Sequence, residues 1–318
     1  MALLIPWLLA WCLVAALAPA ARAQRAPQLP KKEAFDPPPI DRSAQTQLFA
    51  ATSFLYTGRS AVQVGVAPGT IKEERVALIR GRVVDALGKG VASVRIAVEG
   101  HAEFGETKTR EDGQYDLAVN GGGALVLDFS LSGYIPVHRR VESAWQEYVP
   151  VENVILTRLD PVVTHVDLSQ TAQPFVVASG SVRSDASGTR QSRLLFARNT
   201  TAQLRLPTGT THPIGNLAVH ATEFTVGTGG PAAMPADLPD SSAYTYAVDF
   251  AVEQAMQAGA TGVEFTQPVI NYVENFIGFS VGTPVPCGRR SAHARCSRAR
   301  WSSWPVRWTD CRCDDESG

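Results

Sequence analysis

At 318 residues with 45% hydrophobic content, the chain is long enough to bury two modest cores, which excludes a wholly disordered polypeptide. Its formal net charge is −1, with no long basic stripe before residue 289, so the attraction on which nucleic-acid binding rests is missing and no nucleic-acid partner is expected. Between Cys12 and Cys287 there is no cysteine, so packing and not a disulfide framework must stabilise the body of the chain.

Met1 to Ala23 holds an apolar run, Leu3 to Ala20, closed by Ala21-Arg22-Ala23, the small-x-small pattern of a signal-peptidase site. Residues 1–23 therefore read as a signal peptide, which directs the chain to secretion or the cell surface with no membrane span after cleavage. The n-region lacks Lys and Arg, so a retained anchor is the alternative. Residues 24–48 contain Pro27, Pro30, Pro37, Pro38 and Pro39 among polar residues, and read as an extended, disordered linker.

Order is expected from Phe49. Val62 to Val66 and Val76 to Val84 read as strands, the second with the alternation of a half-buried strand. Asp85 to Gly90 is a turn with two glycines, after which Val91, Val94, Ile96 and Val98 resume a strand. Thr107 to Leu117, with Asp112-Gly113 at its centre, predicts a β-hairpin. Gly121-Gly122-Gly123 precedes an apolar strand to Leu131, and strands follow at 135–141 and 154–157. Short strands at this spacing, without helical period, predict an antiparallel β-sandwich over 49–158 with lead-in strands.

A second β-rich unit is expected over 159–288. Its strands are Thr164 to Leu168, Phe175 to Ala178, Arg193 to Phe196, Ala202 to Leu206, Leu217 to Val226, Tyr244 to Phe250, Val263 to Phe265 and Val269 to Phe279. One short helix is predicted over Val252 to Ala258, stopped by Gly259 as a left-handed cap, and it is the only helix expected after the leader. Residues 269–279 would leave an open apolar edge.

Residues 289–318 differ in kind. They carry seven Arg, three Trp and three Cys, with Val306 as the single branched aliphatic residue, and no core can be patterned from them. They read as an anomalous, frame-shifted disordered tail that cuts the chain short near Gly288; a short natural basic tail is the alternative.

Gly81-Arg-Val-Val-Asp85, Gly88-x-Gly90-Val91, Thr107-x-Thr109, Asp112-Gly113-x-Tyr115 and Ser132-Gly133-Tyr134 resemble the carboxypeptidase regulatory-like domain, a transthyretin-like sandwich also grouped with carbohydrate-binding-like folds. More widely, Gly100 to Gly105, Ala221 to Gly227, Gly230 to Pro235 and Glu274 to Phe279 resemble the N-terminal region of secreted bacterial Rhs/YD-repeat proteins. That resemblance implies a non-enzymatic structural or scaffold portion of such a protein, here without the Tyr-Asp repeats.

The chemistry-bearing residues support no active site. His220-x-x-Glu223 has the spacing of a zinc pair, but on a strand positions i and i+3 point to opposite faces, and the third ligand would have to be His293 in the anomalous tail. A zinc metallopeptidase is thus a distant third reading, and a solvent-facing His and Glu the better one. Cys287, Cys296, Cys311 and Cys313 lack the paired spacing of a structural zinc site. No G-x-S-x-G elbow occurs, so no catalytic, cofactor-binding or metal residue is assigned and no cofactor is expected. Asn199-Thr200-Thr201 fits the glycosylation sequon and is expected to be silent in a chain of bacterial character. If Trp145, Tyr148 and Tyr134 share one exposed face, they would stack on sugar rings; a carbohydrate- or cell-surface-binding module, meeting a surface glycan or protein, is therefore the alternative function.

Overall fold

The computed structural model describes residues 43, 46–225, 233–235, 246–280, 284–285 and 299–300. The expected signal peptide, nearly all of the linker and the anomalous tail, with Cys287, Cys296, Cys311 and Cys313, lie outside the described residues, apart from the short pairing of 284–285 with 299–300. The chain is all-β: a sandwich followed by a second β-rich unit that carries one short helix.

The chain enters through helix α1 (Leu48–Thr52) and a single 3-10 turn (Ser53–Leu55), which the sequence reading did not anticipate. Leu55 is buried on Leu78 and Ala118, so this segment covers one outer face of the sandwich. The strands begin at Gln63. One sheet has the order β1 (Gln63–Val64), β4 (Glu106–Lys108), β3 (Arg95–Val98), β6 (Gly123–Ser130), β7 (Val137–Ser143), all antiparallel. The facing sheet has β2 (Val76–Val84) between β5 (Gln114–Asn120) and β8 (Glu147–Pro150), and β9 (Val154–Ile155) extends the β8 side. Both β8 and β9 run parallel to β2. Inward positions of β2 and β5, among them Ile79, Val83, Leu117 and Val119, meet Ile96, Leu127 and Phe129 of the other sheet in one fully buried cluster. Each such side chain contributes about 1.5–3 kcal/mol by leaving water.

The predicted hairpin at 107–117 is corrected. Its turn exists, with Arg110 and Gln114 hydrogen-bonded across Asp112-Gly113, but β4 pairs with β1 and β3 while β5 pairs with β2. The turn is a corner between sheets. The cause is local: Gly113 has φ +83°, its carbonyl accepts from Val83 N at 2.8 Å, and a Cβ there would lie 2.2 Å from Val83 O. Close docking on the end of β2 swings the chain across the core, which a free hairpin turn would not do.

The second unit is made of three small sheets: β10 (Thr164–Asp167), β17 (Asn216–Glu223), β18 (Val248–Val252); β11 (Phe175–Ser179), β14 (Arg193–Ala197), β20 (Ile270–Tyr272); and β16 (Thr211–Ile214), β15 (Ala202–Arg205), β19 (Gly262–Phe265). A hairpin of β12 (Arg183–Asp185) and β13 (Gly188–Arg190) stands beside them. Val166, Leu194, Phe196, Leu217 and Val219 form its own apolar cluster. Helix α2 (Glu253–Gln257) follows β18 directly, and Gly259 takes φ +61° just after it, the left-handed stop that its position required. The expected strand at 269–279 is cut to Ile270–Tyr272. Beyond it the chain turns inward, Phe276 packing on Arg190 and Tyr246, so the long open edge is not formed.

Candidate functional site

Three polar or aromatic constellations stand out, and the junction between the two β units is the most completely built. Asp160, just past the last strand of the sandwich, is 1% exposed. Its carboxylate accepts from Ser181 Oγ at 2.7 Å, Val162 N at 2.8 Å and Arg183 Nη2 at 3.1 Å. Its own N–H donates to Thr222 Oγ1 at 2.8 Å, and its carbonyl oxygen lies 2.8 Å from His220 Nδ1. His220 Nε2 is hydrogen-bonded to Glu253 Oε1 of α2 at 3.0 Å. One linker residue thus bonds to the β11–β12 segment, β12 and β17, and through His220 to α2. Around this knot Ile135 of the sandwich packs with Phe224 and Ala233, beside Ile155, Leu159 and Met234. His138 N and the Arg139 guanidinium of β7 donate to the Pro235 and Met234 carbonyls.

This corrects the solvent-facing reading of His220 and Glu223. His220 is buried and the Glu223 side chain is only 4% exposed, because both faces of β17 are covered. Their side chains leave that strand on opposite sides, as spacing i to i+3 dictates, and His220 bonds at the junction while Glu223 bonds to Arg190. The two do not share a ligand position.

The second constellation centres on Arg190, whose side chain is 1% exposed. Its guanidinium forms a bidentate pair with Asp185 at 2.9 Å on each arm and donates to Glu223 Oε1 at 2.7 Å. Phe276 lies over the guanidinium, ring centroid at 4.2 Å, and Thr225 Oγ1 also donates to Glu223. The Arg190 hydrogen bonds hold the Asp185 carboxyl down to about 2. Burial pushes the neighbouring Tyr246 hydroxyl up, out of the ordinary phenol range. Arg190, Asp185 and Glu223 find their partners in one another and in Thr225, which is the arrangement of a structural brace.

The third concerns the aromatic residues expected to share a face. Trp145 and Tyr148 are 60% and 49% exposed along the β8 edge, with Arg75 and Arg80 beside their rings at 6.0 and 5.5 Å. Tyr134 is not with them. It sits in the β6–β7 turn, at the far end of that pair of strands from Trp145, half-buried beside Arg158. The three-ring platform is therefore not formed.

An open cleft of about 550 Å³ beside β1 and the 98–105 turn is lined by small residues with Arg95, His101 and Glu106. Arg95 is paired with Glu106 and Asp128, and His101 with Glu103. Sequence reasoning missed Asp160, Arg190 and Gln63. Gln63 is 1% exposed and staples the sheets by bonding Phe104 O and both the N–H and the C=O of Ala118. Asp160-Pro161 does mark the unit boundary in sequence, but nothing local says that this Asp is buried.

Residues 71–156 match the family model described as the Teneurin TTR-like domain. Teneurin-m of Drosophila melanogaster is 38% identical over 127 residues, 38% of this chain and 5% of its own length. Teneurin-1 of Mus musculus is 32% identical over 147 residues, covering 43% of this chain and again 5% of the relative. Among solved structures, a streptococcal ancillary pilin aligns over 45% of this chain and 60% of its own at 12% identity, with a TM-score of 0.23 that supports no argument. The chain thus spans a small part of the teneurins it matches.

These matches overturn the bacterial Rhs/YD-repeat reading, and with it the role of scaffold in such a protein: the relatives found are animal teneurins. The motifs behind that reading have a physical explanation. Gly113 is required by the corner on Val83, and Gly90 by its approach to Asp112 O, so they mark a transthyretin-like sandwich rather than a lineage. The buried cluster of the sandwich begins at Ile71 and ends at Leu156, the same span over which this chain is similar to the teneurin TTR-like domain.

Proposed function

We propose that this chain is an extracellular, non-catalytic, teneurin-type module in which a TTR-like sandwich (49–158) is held at a fixed angle on a second β domain (159–288). Its work is positional: the joint keeps the two domains, and whatever each is attached to, in one orientation. The observation that carries this reading is the junction itself. A flexible linker would leave residues 157–160 solvated, whereas Asp160 is buried and bonded to Ser181, Arg183, His220 and Thr222 of the second domain, and Ile135 and Ile155 of the sandwich share an apolar cluster with Phe224 and Ala233 across the joint. The similarity to teneurins and the apolar leader support an extracellular setting.

Differential scanning calorimetry of the whole chain tests it. Coupled domains melt in one transition, and Ile135→Ala, which removes the sandwich side chain packed on Phe224 and Ala233, divides that transition into two. Two independent transitions in the unaltered chain would show that the joint does not couple them.

A further inference from the structure

Asn199-Thr200-Thr201 is the single Asn-x-Ser/Thr sequence among the 318 residues, and its x is not proline. The sequence reading set it aside only because the chain looked bacterial. The animal relatives remove that reason.

Its place in the fold is suited to modification. Thr200 N donates to Ala197 O at 3.1 Å, closing a tight turn between β14 and β15, and Asn199 occupies the turn with φ +66°, a conformation that Asn tolerates better than most residues. Asn199 is exposed, and its side-chain amide makes no hydrogen bond among the described residues. Thr200, the middle residue, points inward and is 1% exposed, with its hydroxyl on Ala197 O. Thr201, whose hydroxyl completes the sequon, is exposed, with that hydroxyl donating to Thr266 Oγ1 at 3.2 Å on the surface, so Asn199 and Thr201 lie together on the exposed side while Thr200 anchors the turn. The turn lies away from the junction knot, on the side where Arg198 N donates to Pro174 O beside the exposed Phe175.

We propose that Asn199 is an N-glycosylation site. The side-chain amide nitrogen attacks C1 of the reducing-end sugar of a polyprenyl-pyrophosphate-linked oligosaccharide. An N–C1 bond forms, the C1–O bond to pyrophosphate breaks, the amide gives up one proton and polyprenyl pyrophosphate leaves. The inference rests on the extracellular reading, since the donor is met only in the secretory pathway.

The test expresses the full chain in cultured animal cells in two forms, one with its own leader and one with residues 1–23 replaced by a strong secretory signal. Chain recovered from the medium is treated with peptide N-glycosidase F and mapped by mass spectrometry, which reports a formerly glycosylated asparagine as aspartate. Conversion at 199 is expected, lost in Asn199→Gln and Thr201→Ala and kept in Thr201→Ser. Secreted chain with unmodified Asn199, or a glycan that survives Asn199→Gln, overturns the proposal. Glycosylation of the form with the strong signal alone would support the site while counting against the extracellular reading of the native chain.

Discussion

Replacing Arg190 by Met tests whether the buried brace holds the second β unit together. Met keeps much of the volume and leaves two carboxylates without their cation. Asp185 is 25% exposed and rehydrates; Glu223, at 4%, cannot, and among the described residues its side chain keeps only the Thr225 hydroxyl as partner. Stranding one buried charge costs about 3–5 kcal/mol, and the lost stacking on Phe276 adds about 0.5–2 kcal/mol. Against a typical total stability of about 5–15 kcal/mol this is a large fraction. The assay is urea unfolding followed by circular dichroism, with midpoint and slope compared between variants. The mechanism makes a sharper demand on the double variant Arg190→Met with Glu223→Gln, in which no charge is stranded: it should be more stable than Arg190→Met by about 1–3 kcal/mol. A loss below about 1 kcal/mol in the single variant, or a double variant no more stable than the single, would refute the reasoning.

Other outcomes follow from the same geometry. Gly113→Ala forces a Cβ to within 2.2 Å of Val83 O at φ +83°, and should lower stability by more than about 1 kcal/mol in thermal unfolding; a neutral result would mean that the corner is loose. Gln63→Leu leaves Phe104 O and the Ala118 peptide groups unpaired between the sheets, at a cost of at least about 2 kcal/mol by urea titration. Thr222→Val takes the acceptor from Asp160 N at the joint and should cost about 1–3 kcal/mol, read as a fall in the calorimetric midpoint. The acid response has a defined sign: Asp185 is held down to about 2 when folded against about 3.9 in an unfolded chain, so its contribution is full above about 4 and is lost as pH falls toward 2. Melting temperatures from pH 2 to 5 should therefore fall less steeply in Asp185→Asn than in the unaltered chain, and parallel curves would count against the pair.

Much of the local structure was legible in the sequence. The apolar run 76–84 identified β2 to the residue, although Val76 to Ile79 are all buried rather than alternating because Leu55 covers the outer face at Leu78, and Gly259 located the end of α2, because apolar runs and positive-φ glycines are local properties. Turn chemistry at Asp112-Gly113 was equally local, but what it joined was not. Hairpin and corner use the same turn residues, and only the contact of Gly113 with Val83 and Gly90, far away in sequence, selects the corner. A shared motif likewise marked the sandwich without marking its family, since the same backbone constraint recurs wherever that corner is built.

The sequence by itself determined that this is a β protein of two successive units with a leader-like start, and where most strands run. Tertiary structure alone decided which strands pair, that the His220 and Glu223 side chains are held by different partners, that Tyr134 stands apart from Trp145, and that Asp160 is buried and hydrogen-bonded to Ser181, Arg183 and Thr222. The physical reason is one of range. Strand period, turns and caps are set by neighbours within a few residues, whereas burial and ion pairing depend on groups 33 to 62 positions away, such as Glu223 for Arg190 and Thr222 for Asp160.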